Sequence, residues 1–236
     1  MVKSGWNFIV PLSVLGAVFL RQSHLCCHLP LQVLGWTCLA LALFCVNFFR
    51  DPQRQIPQDP SLIVSPADGK VIAIEAVEDP YIGQATEIRI FLNVFNVHVQ
   101  RSPFTVPARI EGTRYFAGKF LAASVAKASL ENEQHWIRMR SVDGAPVLVK
   151  QIAGLVARRI VSWVKPGDSV QGGQHLGLIQ FGSQVDLVIP RSWAVKVQMG
   201  DKVAGGESIL ARRPSHQASS GKASKAGGSG RRASKP

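Results

Sequence analysis

The sequence predicts a mainly β (α+β) body, preceded by a hydrophobic helical hairpin and followed by a disordered basic tail. Three observations predict it. Two apolar runs, each free of charge, fill most of residues 1–49; short Val/Ile/Leu-rich runs broken by Gly, Pro and Asp occupy 50–213; and 214–236 is Ser, Gly, Ala and Lys with no apolar periodicity.

The first run, Trp6 to Leu20, has fifteen uncharged residues, about 22 Å as a helix and short of a hydrocarbon core of roughly 30 Å. The second, Leu29 to Phe49, has twenty-one and reaches the full thickness. Arg21 to His28 lies between them, which leaves room only for a turn. Lys3 ahead of an apolar stretch also suits a signal peptide, but no small-x-small cleavage site follows. Lys3, Arg50 and Arg54 outweigh Arg21, so both flanks are expected on the cytoplasmic side, with the body at the inner face of the cell membrane. All four cysteines, Cys26, Cys27, Cys38 and Cys45, lie in this region, so the body has neither a disulfide framework nor a zinc site; they read as small apolar residues, with palmitoylation of Cys26 or Cys27 as the alternative.

In the body the expected strands are Gly69 to Ala76, Thr86 to Leu92, His98 to Gln100, Val106 to Tyr115, His135 to Ser141, Val147 to Ile152, His175 to Gln180, Gln184 to Ile189 and Ser208 to Ala211. One helix is expected around Leu155 to Ile160. Gly167 to Gly173 and Gly200 to Gly206 repeat G-D-x-V-x-G-G, each followed by an apolar strand, which predicts two related turns with glycines at positive φ and an aspartate closing each. This echo looks like the barrel-sandwich arrangement of lipoyl and biotinyl carrier domains, a likeness of architecture that transfers no chemistry.

The net charge of +12 has a local origin, because Arg212, Arg213, Lys222, Lys225, Arg231, Arg232 and Lys235 supply seven positive charges from a stretch without an acid. A chain of that composition cannot offset its ordering entropy by burial. With no interleaved aromatics and no nucleic-acid module, its charge points to anionic lipid headgroups rather than nucleic acid, or to a solvated tail without a role.

Four segments carry the chemistry: Phe48-Phe49-Arg50-Asp51-Pro52, Ser65-Pro66-Ala67-Asp68-Gly69-Lys70, Asn96-Val97-His98-Val99, and Gln180-Phe181-Gly182-Ser183-Gln184-Val185-Asp186. Alone, Asp68 is a turn residue, His98 a half-buried strand histidine and Ser183 a β-turn serine. Together and in this order, over about residues 48 to 210, they resemble phosphatidylserine decarboxylases of the short, membrane-associated prokaryotic type.

That resemblance implies a zymogen that cuts itself between Gly182 and Ser183 into a β chain (1–182) and an α chain (183–236), Ser183 becoming a covalent pyruvoyl cofactor with no metal. It implies that phosphatidylserine in the membrane condenses with this carbonyl as a Schiff base, loses CO2 and leaves as phosphatidylethanolamine. Self-cleavage needs a base for the serine hydroxyl and a group to orient that base; the resemblance makes His98 the base and Asp68 the orienting acid, a triad with Ser183. Gly182 removes a Cβ that would crowd the attacked carbonyl. The expected partners are the lipid substrate and the chain's own two fragments, with higher homo-oligomers open.

Lys127-Ala128-Ser129-Leu130-Glu131-Asn132-Glu133 also resembles a family segment, but Gln134-His135 stands where Arg-Asn is expected, and Arg101 where longer relatives have a second histidine. Two rivals make different demands. A non-catalytic carrier-like binding module stays one chain without a carbonyl. A serine hydrolase using Asp68, His98 and Ser183 also stays uncleaved, and Ser183 lacks the G-x-S-x-G elbow of one large class.

Overall fold

A computed structural model describes residues 1–26, 28–118, 132–154, 159–180 and 183–214. Helix α1 runs Trp6–Cys26 and α2 runs Leu29–Phe48. The turn expected from Arg21 is therefore shorter than the charge pattern suggested. Arginine and glutamine are good helix formers, and α1 continues through Arg21 and Gln22, reaching about 31 Å over its 21 residues. Both helices are long and apolar enough to cross a membrane. Pro30 sits in the first turn of α2, where its missing N–H removes no intrahelical bond. The helices approach each other at glycines: a Cβ on Gly35 would lie 2.6 Å from Leu20, and one on Gly16 2.9 Å from Leu39. Trp6, Val14, Val18, Val33, Trp36 and Leu43 face outward and are exposed, as a lipid-facing surface requires.

The body is built from fourteen described strands: β1 (Leu62–Val64), β2 (Gly69–Asp79), β3 (Gly83–Leu92), β4 (Val99–Arg101), β5 (Ala108–Phe116), β6 (Gln134–Ser141), β7 (Pro146–Ala153), β8 (Ile160–Ser162), β9 (Ser169–Val170), β10 (His175–Ile179), β11 (Ser183–Pro190), β12 (Ala194–Val195), β13 (Lys202–Val203) and β14 (Ile209–Arg212). Eight form one curled sheet in the order β13-β2-β3-β11-β7-β6-β5-β9, and two three-stranded sheets, β1-β14-β12 and β4-β10-β8, complete the body. The curl has local causes, for register shifts interrupt β2 between Val71 and Ala73 and β5 between Ile110 and Gly112. Strand alternation puts Ile88, Ile90, Val147, Val149, Val185 and Leu187 into one core, while Ala85, Leu148 and Val188 on the other face form a smaller cluster beneath Tyr81 and Trp136.

All nine expected strands are present, with ends shifted by a few residues. The helix expected around Leu155 to Ile160 is not formed at its end: Ile160 opens β8, paired with β10, and 155–158 lie outside the described residues. A β-branched Ile-Val pair beside an open strand edge favours pairing over a helical turn. The tail from 215 onward also lies outside the described residues.

The G-D-x-V-x-G-G echo is structural. Gly167 and Gly200 have φ of 94° and 102°, and Gly173 and Gly206 have 64° and 82°. Asp168 accepts from the Lys165 amide at 2.9 Å and Asp201 from the Gln198 amide at 2.8 Å. The two copies supply β9 and β13, the opposite edges of the large sheet.

Candidate active site

Ser183 opens β11, the strand whose pairing crosses the middle of the large sheet, opposite Leu92 of β3 and Ala153 of β7. Its side chain is completely buried, and Oγ has no hydrogen-bond partner. Gly182, the other half of the expected cleavage site, lies outside the described residues. A neighbouring segment comes from the sequence that resembled the family: Asn132 donates Nδ2 to the Ala153 carbonyl at 2.7 Å, on the residue paired with Ser183. Residues 127–131 of that segment lie outside the described residues.

The chain leaves β3 at Leu92, opposite Ser183, turns through Asn93 to Asn96, and returns with the His98 carbonyl accepting from the Ile179 amide at 3.4 Å. His98 and Ser183 are thus brought to the same end of β11 by the turn that joins β3 to β4. The turn is held by its asparagines: Oδ1 of Asn93 accepts from the Phe95 amide at 2.9 Å and Oδ1 of Asn96 from the Asn93 amide at 2.8 Å. The Asn96 carbonyl then lies 3.0 Å from Nδ1 of His98. A carbonyl only accepts, so Nδ1 carries the hydrogen and Nε2 presents a lone pair. Nε2 is buried and without a partner.

The ring of His98 lies 4.2 Å from that of Phe48, the last residue of α2, within a cluster that also holds Phe49, Val97, Val99 and Leu178. Burial in this apolar setting pushes the imidazole down to about 4; the Asn96 hydrogen bond opposes the shift and Arg50 adds to it. At neutral pH His98 is an uncharged imidazole with an unused acceptor. Ser183 Oγ is an unused donor, and a buried hydroxyl and a buried imine nitrogen both left without partners are costly unless chemistry uses them.

Asp68 is placed differently from the expected triad. Its carboxylate takes two bonds from Arg54 at 2.8 and 2.9 Å and one from the Gly205 amide at 2.8 Å, while the bond that orients His98 comes from the Asn96 carbonyl. Arg54 also reaches Glu207 at 3.1 Å, so Asp68 and Glu207 bind the segment after α2 to the second G-D-x-V-x-G-G turn. Motif order shows which groups share a site but not which oxygen faces the ring. Arg101, at the place of a second histidine in longer relatives, pairs with Asp51 at 2.6 Å. Of Gln134-His135, the glutamine accepts from the Trp136 indole at 2.8 Å and His135 meets Gln151 at 2.9 Å.

Sequence reasoning missed three features. Phe48 and Asn96 stood in the quoted segments, but nothing in their identity announced ring packing on His98 or a carbonyl aimed at it. Asp186, on the opposite face of β11, is fully buried; burial and the neighbouring Glu87 push its carboxyl up to about 7 against the pull of the Gln184 amide, Lys150 and Arg89. Only a charged residue inside an otherwise apolar strand hinted at it. Among the described residues no group of three His, Cys, Asp or Glu could hold a metal.

An apolar helical hairpin long enough to cross a membrane, whose last residue packs on a buried histidine beside a curled β sheet that holds a buried, unpartnered serine, marks the class: a β-rich body joined to an apolar anchor. A family model for phosphatidylserine decarboxylase matches residues 41–211. The chain is similar to the phosphatidylserine decarboxylase proenzyme of Burkholderia lata, 41% identical over 212 residues covering 89% of this chain and 95% of that one. It is 40% identical to the protein of the same name from Cupriavidus pinatubonensis over 213 residues, 89% of this chain and 94% of the relative. The chain belongs to the phosphatidylserine decarboxylase family and is a decarboxylase of phospholipid biosynthesis.

Proposed function

We propose that this chain is a precursor that cuts itself between Gly182 and Ser183, converts Ser183 into a pyruvoyl group, and then decarboxylates phosphatidylserine to phosphatidylethanolamine at the cytoplasmic face of the cell membrane. The observation that carries this reading is the pair of buried, unpartnered atoms, the Ser183 hydroxyl and Nε2 of a neutral His98, at one end of β11.

In the first step Nε2 of His98 takes the Ser183 proton as Oγ attacks the Gly182 carbonyl carbon. The carbon–nitrogen bond breaks, the proton passes to the departing nitrogen, and Gly182 is left joined to Oγ as an ester. Loss of the Ser183 α proton breaks the Cβ–O bond, leaving the Gly182 carboxylate and a dehydroalanine. Water enters and ammonia leaves, which gives the pyruvoyl end of the new chain. The Asn96 carbonyl holds His98 in the proton-accepting tautomer throughout, and the apolar wall of Phe48, Phe49 and Leu178 excludes competing water. Once formed, the pyruvoyl group supplies an electrophilic carbonyl for the substrate amine and takes up the electron pair left by CO2.

The location supports a lipid substrate. His98 packs against the end of a helix able to cross a membrane, and Phe95, in the same turn, stands exposed with its ring 6.4 Å from that of Phe44 on α2. The reading keeps the domain limits at 1–49, 50–213 and 214–236, with Asp68 as a support of the site rather than the partner of His98.

Intact mass under denaturing conditions tests it. Two chains parting at Gly182/Ser183, the shorter one with a carbonyl that reacts with hydroxylamine, are expected from the wild type, and one full-length chain from Ser183→Ala. A wild-type chain that stays whole in membranes overturns the self-processing reading.

A further inference from the structure

Two glutamines lie wholly inside the body: Gln100 on β4, in a three-stranded sheet, and Gln151 on β7, in the eight-stranded sheet. Gln151 sits on the core face between Val149 and Ala153, an expensive place for an amide unless its groups are paired. They are. Gln151 Nε2 donates to Gln100 Oε1 at 2.9 Å, and Gln100 Nε2 donates to the His98 carbonyl at 2.7 Å. At the other end Gln151 Oε1 meets Nδ1 of His135, on β6, at 2.9 Å. The passage between the sheets is open because residue 177 is glycine: a Cβ there would stand 2.8 Å from Gln151 Nε2.

We propose that His135, Gln151 and Gln100 form a one-way hydrogen-bond chain that positions His98 for the processing of Ser183. The direction follows from its last member. The His98 carbonyl can only accept, so Gln100 turns its NH2 toward it and its oxygen toward Gln151. Gln151 must then present its own NH2 to Gln100 and its oxygen to His135, which puts the hydrogen of His135 on Nδ1. Neither amide can flip without setting two donors or two acceptors face to face in a buried core. The backbone of His98 is thereby tied to the large sheet that carries Ser183, while the Asn96 carbonyl sets the ring. The role is positioning, because none of the three touches the reacting atoms.

The inference rests on the reading of Ser183 and His98 given above, so its test needs a readout independent of cleavage. Gln100→Met, Gln151→Met, the double variant, and Gln151→Glu as a volume-conserving change that loses the donor to Gln100 are made in the full chain in lipid nanodiscs. Cleavage is followed by intact mass, and in a Ser183→Ala background the position of the His98 ring is followed by NMR as the ring-current shift that Phe48, 4.2 Å away, gives it. The expected result is cleavage slowed at least tenfold in each single variant, a double variant no slower than the slower single, and a changed ring-current shift at His98, with thermal midpoints showing that every variant scored is folded. Rates equal to wild type, or losses that multiply in the double variant, overturn it. If the wild type itself does not cleave, the processing reading falls and the ring position alone decides: an unchanged His98 ring-current shift in folded Gln100→Met overturns the positioning chain, and a changed one upholds it.

Discussion

Acidification of the uncleaved precursor gives the sharpest test of the site. The imidazole of His98, packed against Phe48 and enclosed by Phe49, Val99 and Leu178, is pushed down by burial to about 4 from the usual 6.5. At pH 5 about 9% of His98 should then carry a second proton, against about 97% for an unperturbed ring. Between pH 6.5 and 4 the unfolded chain binds a proton that the folded chain refuses, so stability is fully present above 6.5 and falls as pH drops toward 4, by about 3 kcal/mol in total. The assay uses Ser183→Ala, which lacks the proposed nucleophile, with 15N-histidine and NMR titration from pH 8 to 4. One signal should hold the neutral, Nδ1-protonated pattern to below pH 5 and disappear in His98→Gln. A midpoint near 6.5 would refute the argument, because the ring would then be solvated and half-charged at a pH where it must act as a base.

Three further outcomes follow from the packing. Phe48→Ala should cost about 3–5 kcal/mol and move the His98 midpoint upward, both read from the same titration and from thermal unfolding in nanodiscs. Asp186→Asn should change the pH dependence of stability: the wild-type carboxyl, raised to about 7, contributes fully below about pH 4 and loses that contribution as pH rises through 7, so in a Ser183→Ala background the variant should gain midpoint over its parent between pH 5 and pH 8. An equal difference at both pH values would mean that Asp186 is ionised throughout. Gly35→Leu should force α1 and α2 apart at a cost of about 1–3 kcal/mol and reduce energy transfer between dyes placed on the two helices; undiminished transfer would mean that the close approach at Gly16 and Gly35 is dispensable.

How far the fold was legible depends on the range of the forces involved. Strands such as 86–92 and 184–189 announce themselves because every second residue faces a core, and the two G-D-x-V-x-G-G turns because glycine at positive φ and an aspartate closing its own turn are local requirements. Of the two- and three-residue strands only β4 was expected; β1, β8, β9, β12 and β13 carry too few alternations to register, and exist because a partner strand lies alongside. Arg21 looked like a helix end because charge was read as interface, whereas backbone propensity carried α1 five residues further. At the site, Ser183 and His98 were legible as a motif and are brought to one end of β11. The partner of Asp68 was not, since the choice between Arg54 and His98 is made by a loop more than ten residues distant in sequence. The Gln100–Gln151 bridge was invisible for the same reason, being a contact between two sheets.

Under the proposed self-cleavage, the position of Ser183 at the very start of β11 has a consequence for the two fragments. β11 is paired along its length on both sides, from Ser183 to Pro190 with β3 and from Ser183 to Val188 with β7. A break just ahead of it leaves the pairing from Gln184 onward in place, so the shorter fragment would stay as a plank nailed between two others. A newly made chain end usually frays; this one would be clamped from its second residue, Gln184, on both sides. A reactive carbonyl generated there inherits a fixed address, which a group on a loose terminus would have to gain by ordering at each encounter with a lipid.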